Sequence, residues 1–356
     1  MARTVRMRAL QSMLAPGLGT SGQPCATDAR RQVMKPGPKN SIADVAGIKV
    51  GNASDPLAKT GVTVLLPDAP LRAAVDVRGG GPGTRETDAL ALDTLVDRID
   101  ALTLAGGSVY GLAAADEVAA VLGARGQGFG LIPGVPVSPI VPAAILYDLA
   151  NGGEKGWGEE PPYRRLAREA LEAASDDVSL GAVGAGTGAT AGDHPGGLGT
   201  ASFLSSEGYT VAALAAVNSF GSPYVPGTDS FWAAPFEIGD EFGGRGMPER
   251  AGAAGFPPDT KAAALARQNT SLIVVATDAD LSAADLKPLA VMAQDGLARA
   301  VRPAHGPTDG DIVFAVSTCT KEVPQPLMTL TELGSIAGDV VARACARGAF
   351  AAEEKS

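Results

Sequence analysis

Eight consecutive residues carry most of the information about the fold: Gln268-Asn269-Thr270-Ser271-Leu272-Ile273-Val274-Val275. The segment before them, 260–267, predicts a helix, and the strongly apolar run at 271–276 predicts a buried strand. Small polar residues between a helix and a strand are typical of an ordinary turn. The same junction also suits a second interpretation, in which Thr270 is a nucleophile that first cuts its own chain.

Outward from this junction, strand-like and helix-like segments occur in blocks. Short β-rich runs closed by Gly, Asp and Pro predict strands, and Ala-rich segments with apolar residues three and four apart predict helices. The predicted strands are 48–51, 61–66, 73–77, 178–180, 209–217, 271–276 and 312–316, and the predicted helices are 109–122, 163–174, 260–267, 283–300 and 333–347. Because the two types do not alternate strictly, the pattern favours a layered α+β sandwich over a doubly wound sheet.

The N-terminal residues differ in charge from the rest of the chain. The first forty hold seven basic residues and one acid, Asp28, whereas all 356 residues together have a formal net charge of −10. We therefore expect a basic, disordered tail at 1–39 or a start codon placed too early, with a targeting peptide as the alternative. A single domain is then expected at 40–356.

Charge and residue counts exclude several classes of function. A net charge of −10 repels phosphate and argues against nucleic-acid binding, and no apolar run is long enough to span a membrane. Three scattered cysteines without a paired spacing indicate a reduced, cytoplasmic chain. With two histidines, His194 and His305, a histidine-rich metal centre is excluded.

A threonine nucleophile would explain how a chain with two histidines performs nucleophilic chemistry. The Thr270 hydroxyl would attack the Asn269 carbonyl, and hydrolysis of the resulting ester would leave Thr270 with a free α-amine. Such an amine titrates near ~8, so it can act as the base for its own side chain.

Several motifs, in order over residues 40–347, resemble a known family. Two of them are Asp76-Val77-Arg78-Gly79-Gly80-Gly81-Pro82-Gly83-Thr84-Arg85-Glu86-Thr87-Asp88 and Asp309-Gly310-Asp311-Ile312-Val313-Phe314-Ala315, and the others are 40–51, 60–64, 106–116, 183–188, 197–202 and 295–300. Together they resemble the DmpA-type self-processing peptidases. That family includes L-aminopeptidase/D-esterases, β-peptidyl aminopeptidases and the nylon-oligomer (6-aminohexanoate-oligomer) endo-hydrolases.

The resemblance implies a fold and a processing site. The fold is a four-layer αββα sandwich, shared with the ornithine acetyltransferases. Asn269-Thr270 matches the scissile pair, which gives a heavy chain of residues 1–269 and a light chain of residues 270–356. The resemblance also implies a homo-oligomer of processed protomers, with a tetramer as one option, and no metal or organic cofactor.

The same resemblance assigns catalytic residues. Thr270 corresponds to the nucleophile, and Asn218 to the asparagine that donates to the oxyanion, the alternative being a turn residue at the end of a strand. Asp309 and Asp311 fall on the pair that orients the amine and hydroxyl of the nucleophile, unless they form a solvated acidic turn. Tyr147 matches a tyrosine beside the substrate, with a core tyrosine as the alternative.

One departure from the family pattern concerns a lysine. The nylon-oligomer hydrolases carry a catalytic lysine just after a loop like 184–192, where this chain has Asp193-His194. No lysine occurs between Lys155 and Lys261. Either another group supplies the positive charge, or the chemistry depends more on the α-amine.

These observations predict an amide hydrolase that acts through an acyl-Thr270 ester. The expected substrates are short peptides or ω-amino-acid oligomers of the nylon type, attacked from the amine terminus or internally. One alternative is an acyltransferase of the ornithine acetyltransferase type that uses the same ester. The other is an uncleaved, non-enzymatic binding protein.

Overall fold

The computed structural model describes residues 35–250, 255–261 and 269–354. Most of the predicted basic tail and residues 262–267 of the predicted helix at 260–267 lie outside these ranges. Residues 35–39 of the tail are described, and the Gly37 amide donates to Oγ of Ser202 at 3.0 Å.

Strands of two to ten residues supply the sheets. In chain order they are β1 Ile48–Asp55, β2 Thr60–Pro67, β3 Leu71–Val77, β4 Thr84–Arg85, β5 Arg98–Ile99, β6 Leu102–Ala105, β7 Ala143–Ile145, β8 Thr190–Ala191, β9 His194–Pro195, β10 Gly197–Leu204, β11 Thr210–Val217, β12 Leu272–Ala279 and β13 Ile312–Lys321. The four α-helices of the described residues are α1 Ala113–Ala124, α2 Tyr163–Glu172, α3 Ala283–Ala300 and α4 Pro326–Glu353.

Two mixed sheets form the centre of the fold. The first has the order β1-β2-β6-β7-β4, and the second has the order β10-β11-β12-β13-β3-β5. In the second sheet β12 is antiparallel to β11 and parallel to β13, and β13 is antiparallel to β3. The short strands β8 and β9 pair separately.

Successive side chains along each strand point to opposite faces of the sheet, and this alternation explains the layers. In β11, Ala212, Leu214 and Ala216 face the first sheet, and the residues between them face α3 and α4. The outer face of the first sheet packs against α1 and α2 through a third apolar cluster. Helices therefore cover both outer faces of the paired sheets, and the predicted α+β, αββα sandwich is confirmed.

Several elements differ from the sequence prediction: one predicted strand is absent, and strands β4 to β10 were not predicted. Residues 178–180 form no strand, and Gly181 beside them makes an isolated bridge to Leu198. Strand β10 was not predicted because Gly197 and Gly199 give it the composition of a loop. A Cβ on Gly199 would lie 2.0 Å from the Ala344 carbonyl oxygen in α4, so glycine here lets the helix approach the strand.

A buried ion pair connects α4 to segments far away in the sequence. The Arg343 side chain is fully buried and donates to both Glu241 carboxylate oxygens, at 2.6 and 2.9 Å. It also donates to the Ser202 carbonyl and to Oδ1 of Asn40, each at 2.8 Å. The guanidinium thus has partners on several segments, which fixes the position of α4 against β10.

Replacing Glu241 should therefore destabilise the protein strongly. Glu241→Gln removes the carboxylate that pairs directly with the buried Arg343 charge, and we expect a loss of about 3 kcal/mol in the free energy of unfolding, measured with urea. Glu169→Gln is the control, because it removes a carboxylate from an exposed pair with Arg165 and should cost less than about 1 kcal/mol. Equal losses at the two positions would contradict this account.

Candidate active site

Thr270 lies at the N-terminal end of β12, between the end of β11 and the beginning of β13. Its amide donates to the Asn218 carbonyl at 2.9 Å, and the Ile312 amide donates to the Ser271 carbonyl at 3.0 Å. These bonds extend the pairing of the second sheet past the ends of its strands. The junction is therefore hydrogen-bonded to the sheet on both sides, although it lies outside the regular strand.

The peptide bond between Asn269 and Thr270 is buried and closely surrounded. Asn269 is 3% exposed and Thr270 is 4% exposed. The Thr270 hydroxyl donates to the Asn269 carbonyl oxygen at 2.5 Å, and the Gly310 amide donates to the same oxygen at 3.1 Å. The carbonyl thus receives one donor from its own neighbour and one from the loop before β13. Gly310 was not predicted as a site residue.

Asn218 connects three segments at this junction. Its Oδ1 accepts from the Thr190 amide at 3.0 Å and from Nζ of Lys261 at 3.2 Å, and its Nδ2 donates to the Tyr147 carbonyl at 3.1 Å. An amide N–H can only donate and a carbonyl can only accept, so these partners fix the side-chain orientation. Tyr147 therefore reaches Asn218 through its backbone.

Asp309 and Asp311 are both 1% exposed, which excludes a solvated acidic turn. Asp311 accepts from the Ser271 amide at 2.8 Å, directly after Thr270, and Asp309 accepts from the Phe220 and Gly306 amides. Burial and the neighbouring Asp311 charge raise the pKa of Asp309 to about 6, although the two amides act in the opposite direction.

His305 is a further residue of the site that was not predicted. Its Nδ1 lies 2.9 Å from Oδ2 of Asp311, and its amide donates to the same oxygen at 3.1 Å. Burial alone would lower the pKa of His305, but the hydrogen bond and charge of Asp311 outweigh it and raise the pKa. Asp311 thus lies between an imidazole and the backbone of the Thr270 junction.

Lys261 is a basic residue beside Asn218 that was not predicted as a site residue. The loop at 192–194 contacts Asp259, two residues before Lys261. The Asp193 amide donates to the Asp259 carbonyl at 3.2 Å, and Nε2 of His194 lies 3.9 Å from Oδ2 of Asp259. Asp193 and His194 therefore contact the segment that brings Lys261 to Asn218. Burial lowers the pKa of Lys261 to about 7, against the opposing charge of Asp309.

The glycines of the motif at 76–88 support the loop that carries Asp309. A Cβ on Gly79 would lie 2.4 Å from the Asp309 carbonyl oxygen, and a Cβ on Gly80 would lie 2.3 Å from that of Pro307. The Gly81 amide also donates to the Asp309 carbonyl at 2.8 Å. This motif therefore has an architectural role, because glycine has no side chain and so lets the two loops pack together.

Among the described residues, no group of three or more His, Cys, Asp or Glu side chains is arranged to hold a metal ion. The same part of the chain contains no helix long and apolar enough to cross a membrane.

Comparison with known proteins gives matches over nearly the same residues. The model of peptidase family S58 matches residues 40–356. An uncharacterized aminopeptidase of Mycobacterium tuberculosis is 42% identical over 88% of this chain and 94% of its own length. A 6-aminohexanoate-oligomer endohydrolase of Kocuria sp. is 30% identical over 87% of this chain and 82% of its own length.

Solved structures support the fold. A Burkholderia sp. beta-aminopeptidase superposes with a TM-score of 0.65 at 23% identity, covering 89% of this chain and 88% of the other. An L-aminopeptidase D-Ala-esterase/amidase from Ochrobactrum anthropi gives a TM-score of 0.65 at 22% identity with the same coverage, and is described as a variant of the Ntn hydrolase fold.

The contact between His305 and Asp311 leads to a prediction about the pKa of His305. We expect the His305 imidazole to titrate above 6.5 in the intact protein, because protonation adds an ion pair with Asp311. Asp311→Asn removes that charge while burial remains, so the pKa should fall below 6.5. The pKa of His305 can be measured by NMR titration, because the variant His194→Gln lacks the signal of the other histidine in the chain. An unchanged His305 pKa in Asp311→Asn would contradict the assignment.

Proposed function

The chain belongs to peptidase family S58 and is an amide-bond hydrolase, and on that premise we propose that it cuts its own Asn269–Thr270 bond and then uses Thr270 as an N-terminal nucleophile. The observation that carries this proposal is the buried Thr270 hydroxyl, 2.5 Å from the carbonyl oxygen of the preceding residue. The family membership confirms the resemblance drawn from the motifs and argues against a non-enzymatic binding protein.

Self-cleavage proceeds in two steps. The Thr270 oxygen adds to the Asn269 carbonyl carbon while the hydroxyl proton is removed, and the bond from that carbon to the Thr270 nitrogen breaks. The nitrogen takes up the proton that the hydroxyl lost and becomes an amine, and the Asn269 acyl group is held as an ester. Water then hydrolyses the ester, which releases the Asn269 carboxylate and restores the hydroxyl. The Gly310 amide is in position to donate to the oxygen as its charge develops.

Turnover repeats the same chemistry on a substrate. The α-amine of Thr270 accepts the hydroxyl proton, the oxygen attacks a substrate amide, and the proton passes to the leaving amine. Water hydrolyses the acyl-Thr270 ester. We assign Asn218 as an oxyanion donor, worth on the order of 3 kcal/mol of barrier, and Asp309 and Asp311 as the groups that orient the amine and hydroxyl. No metal or cofactor is required by these steps.

The substrate is proposed to be a short peptide or an ω-amino-acid oligomer. The more similar relative is named an aminopeptidase, and the more distant one is named an oligomer endohydrolase. The higher identity favours removal of N-terminal residues from short peptides. We propose that Tyr147, whose carbonyl contacts Asn218, lies beside the bound substrate.

Some expectations from the sequence stay predictions. A homo-oligomer of processed protomers is tested by light scattering coupled to size-exclusion chromatography, and a cytoplasmic location by cell fractionation. Transfer of the acyl group to an added amine, rather than to water, would identify the acyltransferase alternative in a product analysis.

Thr270 substitutions test the proposed function directly. Wild-type protein should separate on a denaturing gel into two fragments, the smaller beginning at Thr270 by intact mass. Thr270→Ala should remain one chain and lose turnover by roughly 10⁴-fold or more, because no hydroxyl remains to attack. Thr270→Ser keeps a hydroxyl and should still be cleaved. A wild-type chain that turns over peptides while uncut would overturn the proposal.

Gly79 packs against the loop that carries Asp309, and Gly134 provides a matched control position. Gly79→Ala and Gly134→Ala both place a side chain at a positive φ, of 81° and 82°, but only at Gly79 would the new Cβ meet the Asp309 carbonyl. We expect Gly79→Ala to slow self-cleavage by about 100-fold through displacement of Asp309, measured as the appearance of the light chain after synthesis. Gly134→Ala should be cleaved at the wild-type rate, and equal slowing in both would indicate general strain.

A further inference from the structure

The residue after Tyr147 is a buried carboxylate that the proposed mechanism does not use. Asp148 is 3% exposed and lies just after β7. Its Oδ1 accepts from the Gly107 amide at 2.7 Å, and its Oδ2 accepts from the Thr60 hydroxyl at 2.6 Å. Burial raises the pKa of Asp148, although these two donors act in the opposite direction. Each carboxylate oxygen therefore has a partner on a different segment of the chain.

The motif at 106–116, to which the proposed mechanism gives no role, encloses this carboxylate. A Cβ on Gly106 would lie 2.1 Å from Oδ2 of Asp148, and a Cβ on Gly107 would lie 2.0 Å from the Tyr163 hydroxyl oxygen. That hydroxyl lies 3.2 Å from the hydroxyl oxygen of Thr60, which gives its own proton to Asp148. Because side chains at the two glycines would collide with these groups, the motif closes over Asp148 only with glycine at both positions.

Backbone hydrogen bonds fix the chain on the N-terminal side of Asp148. The Leu146 amide donates to the Ala105 carbonyl at 2.9 Å, and the Ser108 amide donates to the Leu146 carbonyl at 2.9 Å. These bonds continue the parallel pairing of β6 and β7 beyond the end of both strands. The backbone before Asp148 is therefore bonded to the same segment as the Asp148 side chain.

The peptide group between Tyr147 and Asp148 contacts the active site. Its carbonyl oxygen accepts from Nδ2 of Asn218 at 3.1 Å. Because a peptide group is planar, holding Leu146 on one side and Asp148 on the other also holds the direction of this carbonyl. On the other end of the Asn218 carboxamide, Oδ1 accepts from the Thr190 amide at 3.0 Å. The rotation of the carboxamide about its last side-chain bond therefore depends on where the Tyr147 carbonyl points.

We propose that Asp148 is a positioning residue, which orients the Asn218 side chain through the peptide group between Tyr147 and Asp148. The inference rests on the proposed function, which assigns Asn218 as an oxyanion donor. The two N–H groups of a carboxamide have fixed directions relative to each other, so holding one on the Tyr147 carbonyl determines where the other points. An oxyanion donor acts on charge that develops in the transition state. Asp148 should therefore affect the chemical step more than the binding of substrate.

Kinetics of cleaved Asp148 variants test this role. Asp148→Ala removes both hydrogen bonds, and we expect kcat for a short peptide to fall by about 10- to 100-fold while KM changes by less than about 3-fold, because the lost interaction belongs to the transition state. Asp148→Asn keeps an acceptor for the Gly107 amide and gains a donor for the Thr60 hydroxyl oxygen, so it should lose less than about 5-fold in kcat. Rates are expressed per Thr270 terminus, counted by intact mass.

Asp278→Ala is the matched control, because it removes another buried carboxylate. Asp278 is 5% exposed and accepts from the Thr210 amide at 2.9 Å, but it lies at the opposite end of β12 from Thr270. Its loss should lower the free energy of unfolding without changing kcat per Thr270 terminus. If Asp148 acts through Asn218, adding Asp148→Ala to Asn218→Ala should lower kcat by less than about 2-fold more, since the two effects are then not additive.

A second measurement does not require cleavage. In uncut Thr270→Ala protein with ¹⁵N-labelled asparagine side chains, the Asn218 carboxamide signal is the one among five asparagines that Asn218→Ala removes. We expect Asp148→Ala to shift this signal and to speed its hydrogen exchange by about 10-fold or more, because the bond to the Tyr147 carbonyl is weakened. The control variant should change neither quantity.

The outcomes separate the two proposals. An unchanged kcat in Asp148→Ala, an equal loss in Asp148→Asn, full additivity with Asn218→Ala or an unchanged Asn218 signal would each overturn the positioning role. Wild-type protein without a Thr270 terminus, or an unchanged kcat in Asn218→Ala, would instead overturn the proposed function, and the NMR measurement still decides whether Asp148 orients Asn218. If Asp148→Ala does not fold, Thr60→Val removes one of the two donors and should change kcat and the Asn218 signal in the same directions.

Discussion

Backbone hydrogen bonds continue beyond the N-terminal end of β12, towards the β11 side and the β13 side, and they hold the Asn269–Thr270 junction in place. On one side the Thr270 amide donates to the Asn218 carbonyl, and on the other the Gly310 amide donates to the Asn269 carbonyl. Because these bonds join the junction to its neighbours in the sheet, the hydroxyl, the carbonyl and the buried carboxylates are brought together, and catalysis by orientation depends on such an arrangement.

Burial gives the charged groups of the site their unusual basicities. Asp309 is more difficult to ionise than an ordinary carboxylic acid, and Lys261 is more difficult to protonate than an ordinary amine. Both shifts move the groups towards neutral pH, where a small change in surroundings changes the protonation state. Asp311 accepts from the backbone amides of Ser271 and His305, and its Oδ2 lies 2.9 Å from Nδ1 of the His305 ring.

Local sequence order indicated where Thr270, Asp309 and Asp311 lie relative to the strands, and the family resemblance supplied their catalytic roles, which stay predictions. Thr270 lies two residues before the buried strand β12, and Asp309 and Asp311 lie just before β13, which neighbours β12 in the sheet. Lys261 and His305 were not predicted, since their contacts depend on how loops distant in sequence pack together. Strand β10 was missed for a related reason: its glycines serve the packing of α4, and local propensity does not report such packing.

The position of β12 and β13 in the second sheet has a consequence for a cleaved molecule. Both strands follow Thr270 in the chain, yet they lie between β11 and β3, which precede it. Separation of the two fragments would break the ladders on both sides and expose unpaired strand edges in each. Cutting the Asn269–Thr270 bond would therefore leave the two fragments paired, but it would change how the molecule can refold. Refolding is unimolecular for the uncut chain, whereas for a cleaved molecule it would be an encounter between two polypeptides, so its recovery after unfolding would depend on concentration.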